Sequence, residues 1–244
     1  MYKIYPLKVA EETDPGPLVF YMNNWGEEIK LFSYMWLIRG DRQTVLVDTG
    51  FTQEVADEFG PGVIQQPEEH PLRQLEKHGV KPDEIRTIIL THAHFDHLSP
   101  LVEEYTKAQF FIQAKEMSYA TNPPHPGLVE YNLQRAVDKL SGELSGRVTL
   151  VEGDTEILPG INVFWTGGHT PGHQSVAVQT ESGKAIITGD VVFTYKNLDD
   201  DIPVGLNTSV EECYLAMRRI RKEGDIILPG HDPLIMAKHS SGIS

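Results

Sequence analysis

Thr87-Ile88-Ile89-Leu90-Thr91-His92-Ala93-His94-Phe95-Asp96-His97 is the stretch from which the fold can be read. Its first four residues carry no charge and have the continuous apolar character of a short strand covered on both faces. Three imidazoles and a carboxylate then follow within six residues. The strand fixes where the turn begins and the turn bends over the strand's end, so the four side chains can converge on one point. Imidazole and carboxylate together suit Zn2+ or a similar first-row ion.

Three further turns repeat the arrangement. Thr166-Gly167-Gly168-His169-Thr170-Pro171-Gly172-His173 follows an apolar run at 161–165, Thr188-Gly189-Asp190 follows one at 185–187, and Pro229-Gly230-His231-Asp232 follows one at 226–228. Each strand end delivers a ligand candidate, and the small residues let backbone pass close to the others. Strands are also predicted at 44–47, 109–112 and 175–178, and alternating Phe32, Tyr34 and Trp36 mark one face of a core strand. The pattern predicts a helix over 67–78 with Gly79 at its end, and another over 210–222 with Ser209 as N-cap and Glu212 at capping-box spacing. Residues 114–147, with a Pro-rich turn and a helical pattern at 129–140, read as a cap or insertion over one edge of the core. Strands with helices between them lead to a sandwich of sheets covered by helices. The loop 22–26, which holds Met22 and Trp25, is the candidate wall of an apolar pocket.

Composition sets outer bounds. The chain has 244 residues, 40% of them apolar, enough for one sizeable core. Its formal charge of −14 repels phosphate backbones and anionic membranes, which argues against nucleic-acid and membrane-surface partners. The single cysteine, Cys213, excludes an internal disulfide framework and any CxxC motif; inside the 210–222 helix it reads as a plain buried residue. No apolar run approaches the roughly 18 residues of a membrane span, and the first residues lack the apolar centre of a secretion signal, so a cytoplasmic address is expected.

Taken in order from Leu46-Val47-Asp48-Thr49-Gly50 to His231, these turns resemble the metallo-beta-lactamase superfamily. The resemblance implies an α/β fold, the four-layer alpha-beta/beta-alpha sandwich, formed by 1–244 as a single domain. It implies that His92, His94 and His169 hold one metal, that Asp96, His97 and His231 hold a second, and that Asp190 bridges them. Two Zn2+ are expected, with Mn2+, Fe2+ or Co2+ also suitable. Asp48 would brace the ligand turn. His173 matches no ligand and reads as structural. The implied chemistry is hydrolysis by a hydroxide shared between two ions, with Asp96 passing a proton to the leaving group.

Within the superfamily the chain is similar to the N-acyl homoserine lactone lactonases. This implies a small acyl or lactone substrate and a homodimer. A hydrolase of a thioester, amide or phosphodiester on the same metal core is the alternative, followed by a metal-binding protein without turnover. One departure bears on the substrate: lactonases carry a tyrosine three residues after the bridging Asp, and here that residue is Phe193, which has no hydroxyl to donate. Tyr195, two residues on in a segment read as extended, would point to the same side and is the candidate catalytic replacement.

Overall fold

The structure is a computed structural model and describes residues 1–41, 43–59 and 62–244. Among these residues eleven strands form two sheets. The first contains, in spatial order, β1 (Lys3–Pro15), β2 (Glu28–Arg39), β3 (Thr44–Val47), β4 (Thr87–Ile89), β5 (Gln109–Gln113) and β6 (Val148–Val151). The second runs from β7 (Thr155–Leu158) through β8 (Ile161–Trp165), β9 (Gln174–Thr180) and β10 (Gly183–Ile187) to β11 (Ile226–Leu228). The long β1–β2 hairpin is antiparallel and β3 to β6 are parallel; β7 to β10 are antiparallel and β11 pairs parallel to β10.

Strand alternation assigns the layers. On β2, Tyr34, Trp36 and Ile38 face an inner core shared with Val163 of β8, Val176 and Val178 of β9, and Ala185 and Ile187 of β10. The intervening Met35 and Leu37 face outward into a second core. Over that outer face lie α1 (Gln53–Phe59), α2 (Pro71–Lys77), α3 (Ala114–Thr121) and α4 (Gln134–Ser141), which contribute Val55, Leu75, Met117 and Val137. Across the molecule, α5 (Val210–Glu223) packs Cys213, Met217 and Ile220 on Phe164, Ala177 and Ile186 of the second sheet. Helices, sheet, sheet and helix make the four-layer sandwich, an α/β fold. Each fully buried aliphatic side chain contributes roughly 1.5–3 kcal/mol to its cohesion.

Local signals decided the element ends, with two differences. Pro71 breaks the 67–78 helix into a single 3-10 turn, Pro67–Glu69, and α2. Ser209 Oγ accepts from the Glu212 amide at 3.3 Å, but the Glu212 carboxylate leaves the capping box to accept from Gly168 N–H at 2.9 Å. Residues 114–147 form the crossover between parallel β5 and the edge strand β6 and contribute to the helical layer. Among the described residues no helix is long and apolar enough to cross a membrane.

The parallel pairs position the site. With Val47 opposite Ile89 and Ile187 opposite Leu228, the turns after β3 and β4, and those after β10 and β11, emerge side by side at strand carboxyl ends. Gln174 joins the sheets: its amide donates to Thr91 O at 3.0 Å and its side chain to Leu90 O at 2.8 Å.

Candidate metal centre and its cavity

The four turns bring two donor clusters together, His92, His94, His169 and Asp190, and Asp96, His97, Asp190 and His231. Asp190 belongs to both. Its Oδ2 lies 3.4 Å from His169 Nε2 and 3.7 Å from His92 Nε2, while Oδ1 lies 3.0 Å from His97 Nε2 and 3.1 Å from His231 Nε2. One carboxylate thus presents one oxygen to each cluster.

Partners outside the clusters fix which nitrogen three of the rings offer. His169 Nδ1–H donates to Leu206 O at 2.7 Å, leaving Nε2 inward. Asp48, held at a left-handed φ of 62°, accepts from His97 Nδ1–H at 2.7 Å and from the Thr91 amide at 2.7 Å. Thr91 Oγ1 donates to Asp48 at 2.9 Å and stands 3.1 Å from His92 Nδ1, from which it can accept. Such contacts orient metal-binding imidazoles and raise their basicity.

A metal pair fits the donor chemistry. Among the described residues His92 Nε2 is buried with no hydrogen-bond partner, and His97 Nε2 is likewise unbonded despite carboxylate oxygens 2.9 and 3.0 Å away. Orphaned buried nitrogens are costly unless a cation receives them. The chain therefore has two His/Asp clusters consistent with a dinuclear metal centre.

The clusters differ electrostatically. Burial, with neighbouring imidazoles, holds His92 well below the ordinary histidine value and pushes His94 down to about 3; His169 is lowered by burial despite Asp190. In the other cluster burial again opposes charge, but Asp190, Asp96 and Asp48 raise His97 well above its ordinary value, and Asp190 with Glu12 does the same for His231. Burial opposes the charge of Asp96 and Asp190, but His97 together with His231 holds both carboxyls below their ordinary value.

Two side chains hold the turns against each other. The Asp190 amide donates to His173 Nε2 at 2.9 Å, so that ring carries its proton on Nδ1 and donates to Thr166 Oγ1 at 2.6 Å. His173 supports the bridging residue from behind. A Cβ on Gly189, whose φ is +58°, would stand 2.6 Å from His173 Nε2, so the position requires glycine. Glu116, missed in the sequence, is buried and accepts from Ala93 N–H at 3.0 Å, Thr170 Oγ1–H at 2.7 Å and Gly172 N–H at 2.9 Å. It ties the 92–97 turn to the 166–173 turn.

Above the clusters lies a cavity of about 270 Å³. His94, Asp96, Asp190 and His231 form its floor; Leu18, Leu31, Phe59, Val63, Phe193 and Leu206 line it with apolar surface. Glu12, Asp14 and Tyr131 are its other polar features of note. Glu12 Oε1 lies 3.2 Å from His231 Nδ1 and accepts from Ser33 Oγ–H at 3.0 Å. Burial, with Glu12 nearby, pushes the Asp14 carboxyl up to about 6. Burial, with Glu130 and Asp14, raises the Tyr131 phenol. The alternation Glu12, Asp14 at the end of a strand was the available signal for the acidic pair; nothing local in the sequence marks Tyr131 or Glu116.

Two expectations need correction. Thr194 caps a short helix, Tyr195–Asp199, through Asn197, so the two-residue period that would align Tyr195 with Phe193 is broken. Tyr195 packs beside the inner core with Lys238 Nζ 3.8 Å over its ring, and it does not line the cavity. The 22–26 loop is not a cavity wall either: Met22 and Trp25 are 67% and 71% exposed.

Residues 29–231 match the family model of the metallo-beta-lactamase superfamily, and the chain belongs to that superfamily; it is a metallo-hydrolase of that fold. An N-acyl homoserine lactonase of Bacillus thuringiensis is 28% identical over 222 residues, covering 85% of this chain and 84% of that protein. A crystal structure of a quorum-quenching N-acyl homoserine lactone lactonase superposes with a TM-score of 0.79 at 27% identity, over 96% of this chain and 93% of that one. Another, an N-acyl homoserine lactone hydrolase with the product N-hexanoyl-L-homoserine bound at its catalytic metal center, gives 0.79 at 26% identity, over 95% and 93%.

Proposed function

We propose that this protein is a dinuclear metal-dependent hydrolase that opens a lactone or a related cyclic acyl bond. The observation that carries the reading is the placement of Asp190, one oxygen toward each donor cluster, at the floor of a mostly apolar cavity. His92, His94 and His169 with Asp190, and Asp96, His97 and His231 with Asp190, would hold the two ions, Zn2+ first among candidates for so imidazole-rich a set. Bound there, they supply a water that ionises near neutral pH and a Lewis acid for the carbonyl.

The chain's own residues account for the rest. Leu18, Leu31, Phe59, Val63 and Phe193 exclude water and receive an acyl chain. Asp96 faces the cavity with Oδ2 2.9 Å from His97 Nε2, where it can carry a proton to the departing ring oxygen. Glu12 and Asp14 on the same cavity disfavour an anionic phosphodiester and favour an uncharged ester.

A panel of homoserine lactones, aliphatic lactones, cyclic amides, thioesters and phosphodiesters, assayed by acid release, tests the reading. Lactones should turn over fastest, in protein carrying about two equivalents of metal. Turnover of phosphodiesters alone would sink it, and one tightly held equivalent would remove the dinuclear mechanism.

A further inference from the structure

The cavity raises a chemical problem at Phe193. Its ring stands 5.8 Å from that of His169 and 4.8 Å from that of His231, so it covers the floor without offering a donor. A carbonyl oxygen that gathers negative charge during ester opening gains most from a hydrogen-bond donor aimed at it. Tyr195 does not reach the cavity. Among the residues lining it, hydroxyls are carried by Thr13 and Tyr131, and Thr13 is exposed.

We propose that Tyr131 supplies this donor, its phenol contacting the carbonyl or ring oxygen of the substrate from the His94 flank of the cavity. Three observations place it. The Tyr131 ring stands 5.7 Å from the His94 ring, beside the donor clusters. Its backbone is fastened to the ligand turn, since Tyr131 O accepts from Phe95 N–H at 2.9 Å and Asn132 forms a β-bridge with His94. No protein group among the described residues is hydrogen-bonded to its hydroxyl, although the ring is half-buried in the cavity, so the donor is free for a ligand. A residue of the crossover between β5 and β6 thereby takes over a task for which the segment after Asp190 has no hydroxyl.

The inference rests on the hydrolytic reading above, and its test separates the two. In metal-loaded protein, Tyr131→Phe should lower kcat on the best lactone by on the order of 100-fold with KM little changed, because the bond strengthens as charge develops. Metal content should be unaltered, and Tm should stay within about 2 °C, as the hydroxyl bonds no group among the described residues. Adding Phe193→Tyr to Tyr131→Phe returns a hydroxyl to the cavity and should recover at least tenfold of that rate, roughly half the lost barrier. Independently of turnover, an unreacted lactam of matching ring size should produce a tyrosine ultraviolet difference spectrum in the wild type that Tyr131→Phe abolishes. A Tyr131→Phe rate within twofold of wild type, or a lactam spectrum that survives the substitution, would overturn the proposal. If the wild type opens no acyl bond in the panel, the hydrolytic reading fails, and the lactam spectrum alone decides whether Tyr131 meets the ligand.

Discussion

The floor of the cavity and its wall are built on different principles. The floor stands on turns after β4, β8, β10 and β11, and His92, His169, Asp190 and His231 are almost wholly buried. The groups that brace the donors are tied: Asp48 to His97 and Thr91, Leu206 to His169, His173 to Asp190, Glu116 to both neighbouring turns. The wall is assembled from scattered pieces: the end of β1, Leu18 and Leu31, Phe59 and Val63, Phe193 and Leu206, and the crossover that holds Tyr131. Asp14 and Tyr131 there are half-buried, and neither side chain is hydrogen-bonded within the described protein. The difference teaches that geometry for chemistry is over-determined, whereas the wall is left to be completed by what binds.

The largest expected effect comes from breaking the floor at its shared member. Asp190→Asn removes the charge that both clusters use, and the rate on the best substrate should fall on the order of 1,000-fold, with bound metal dropping to about one equivalent. Unchanged stoichiometry and rate would show that the two clusters do not depend on a common carboxylate. A step smaller is Glu116→Ala, which touches no donor atom of the clusters but strands Ala93 N–H, Gly172 N–H and the Thr170 hydroxyl. Each buried donor left unpaired costs about 1–3 kcal/mol, so urea unfolding should show a loss of about 3 kcal/mol or more. Metal affinity should also weaken by roughly 10- to 100-fold as the two turns lose their tie. A stability loss without any change in affinity would mean that Glu116 holds the fold and not the site.

The same contrast explains what could be read in advance. The floor is legible because its residues are local: histidines and aspartates placed directly after short apolar runs, with Gly beside them. Thr44–Val47, Ile161–Trp165 and Ile226–Leu228 are strands over the very ranges their patterns predict, since turn-forming residues such as Asp48, Gly160 and Pro229 mark their ends. In the sequence the hairpin of β1 and β2 shows only through Phe32, Tyr34 and Trp36. Pro6, Lys8, Glu11 and Glu12 obscure β1, where pairing with β2 overrides composition. Glu116 is illegible because its three partners lie 23 to 56 residues away and two of them are backbone amides. The two-residue period does not reach Tyr195 because Thr194 is the N-cap of a helix, its amide and hydroxyl donating to Asn197 Oδ1.

The smallest expected effect lies on the wall, at Asp14. In metal-stripped protein, burial and then Glu12 push its carboxyl up to about 6 in the fold. In the unfolded chain it returns to about 3.9. The folded state therefore holds the extra proton between those values, and the unfolding free energy falls as pH rises from about 4 to 6, then stays lower by this contribution. Asp14→Asn removes the penalty. Because the side chain is partly solvated, the full shift overstates it, and the variant should be about 1–2 kcal/mol more stable than the parent at pH 7 and equal to it below pH 4. Thermal melts of the stripped proteins across that window measure the difference. Metal loading should shrink it, because cations at the floor stabilise a nearby carboxylate and draw its titration down. A variant equally stable at every pH would place Asp14 in solvent and detach it from the cavity, and with it the claim that the wall keeps an uncompensated charge for its ligand.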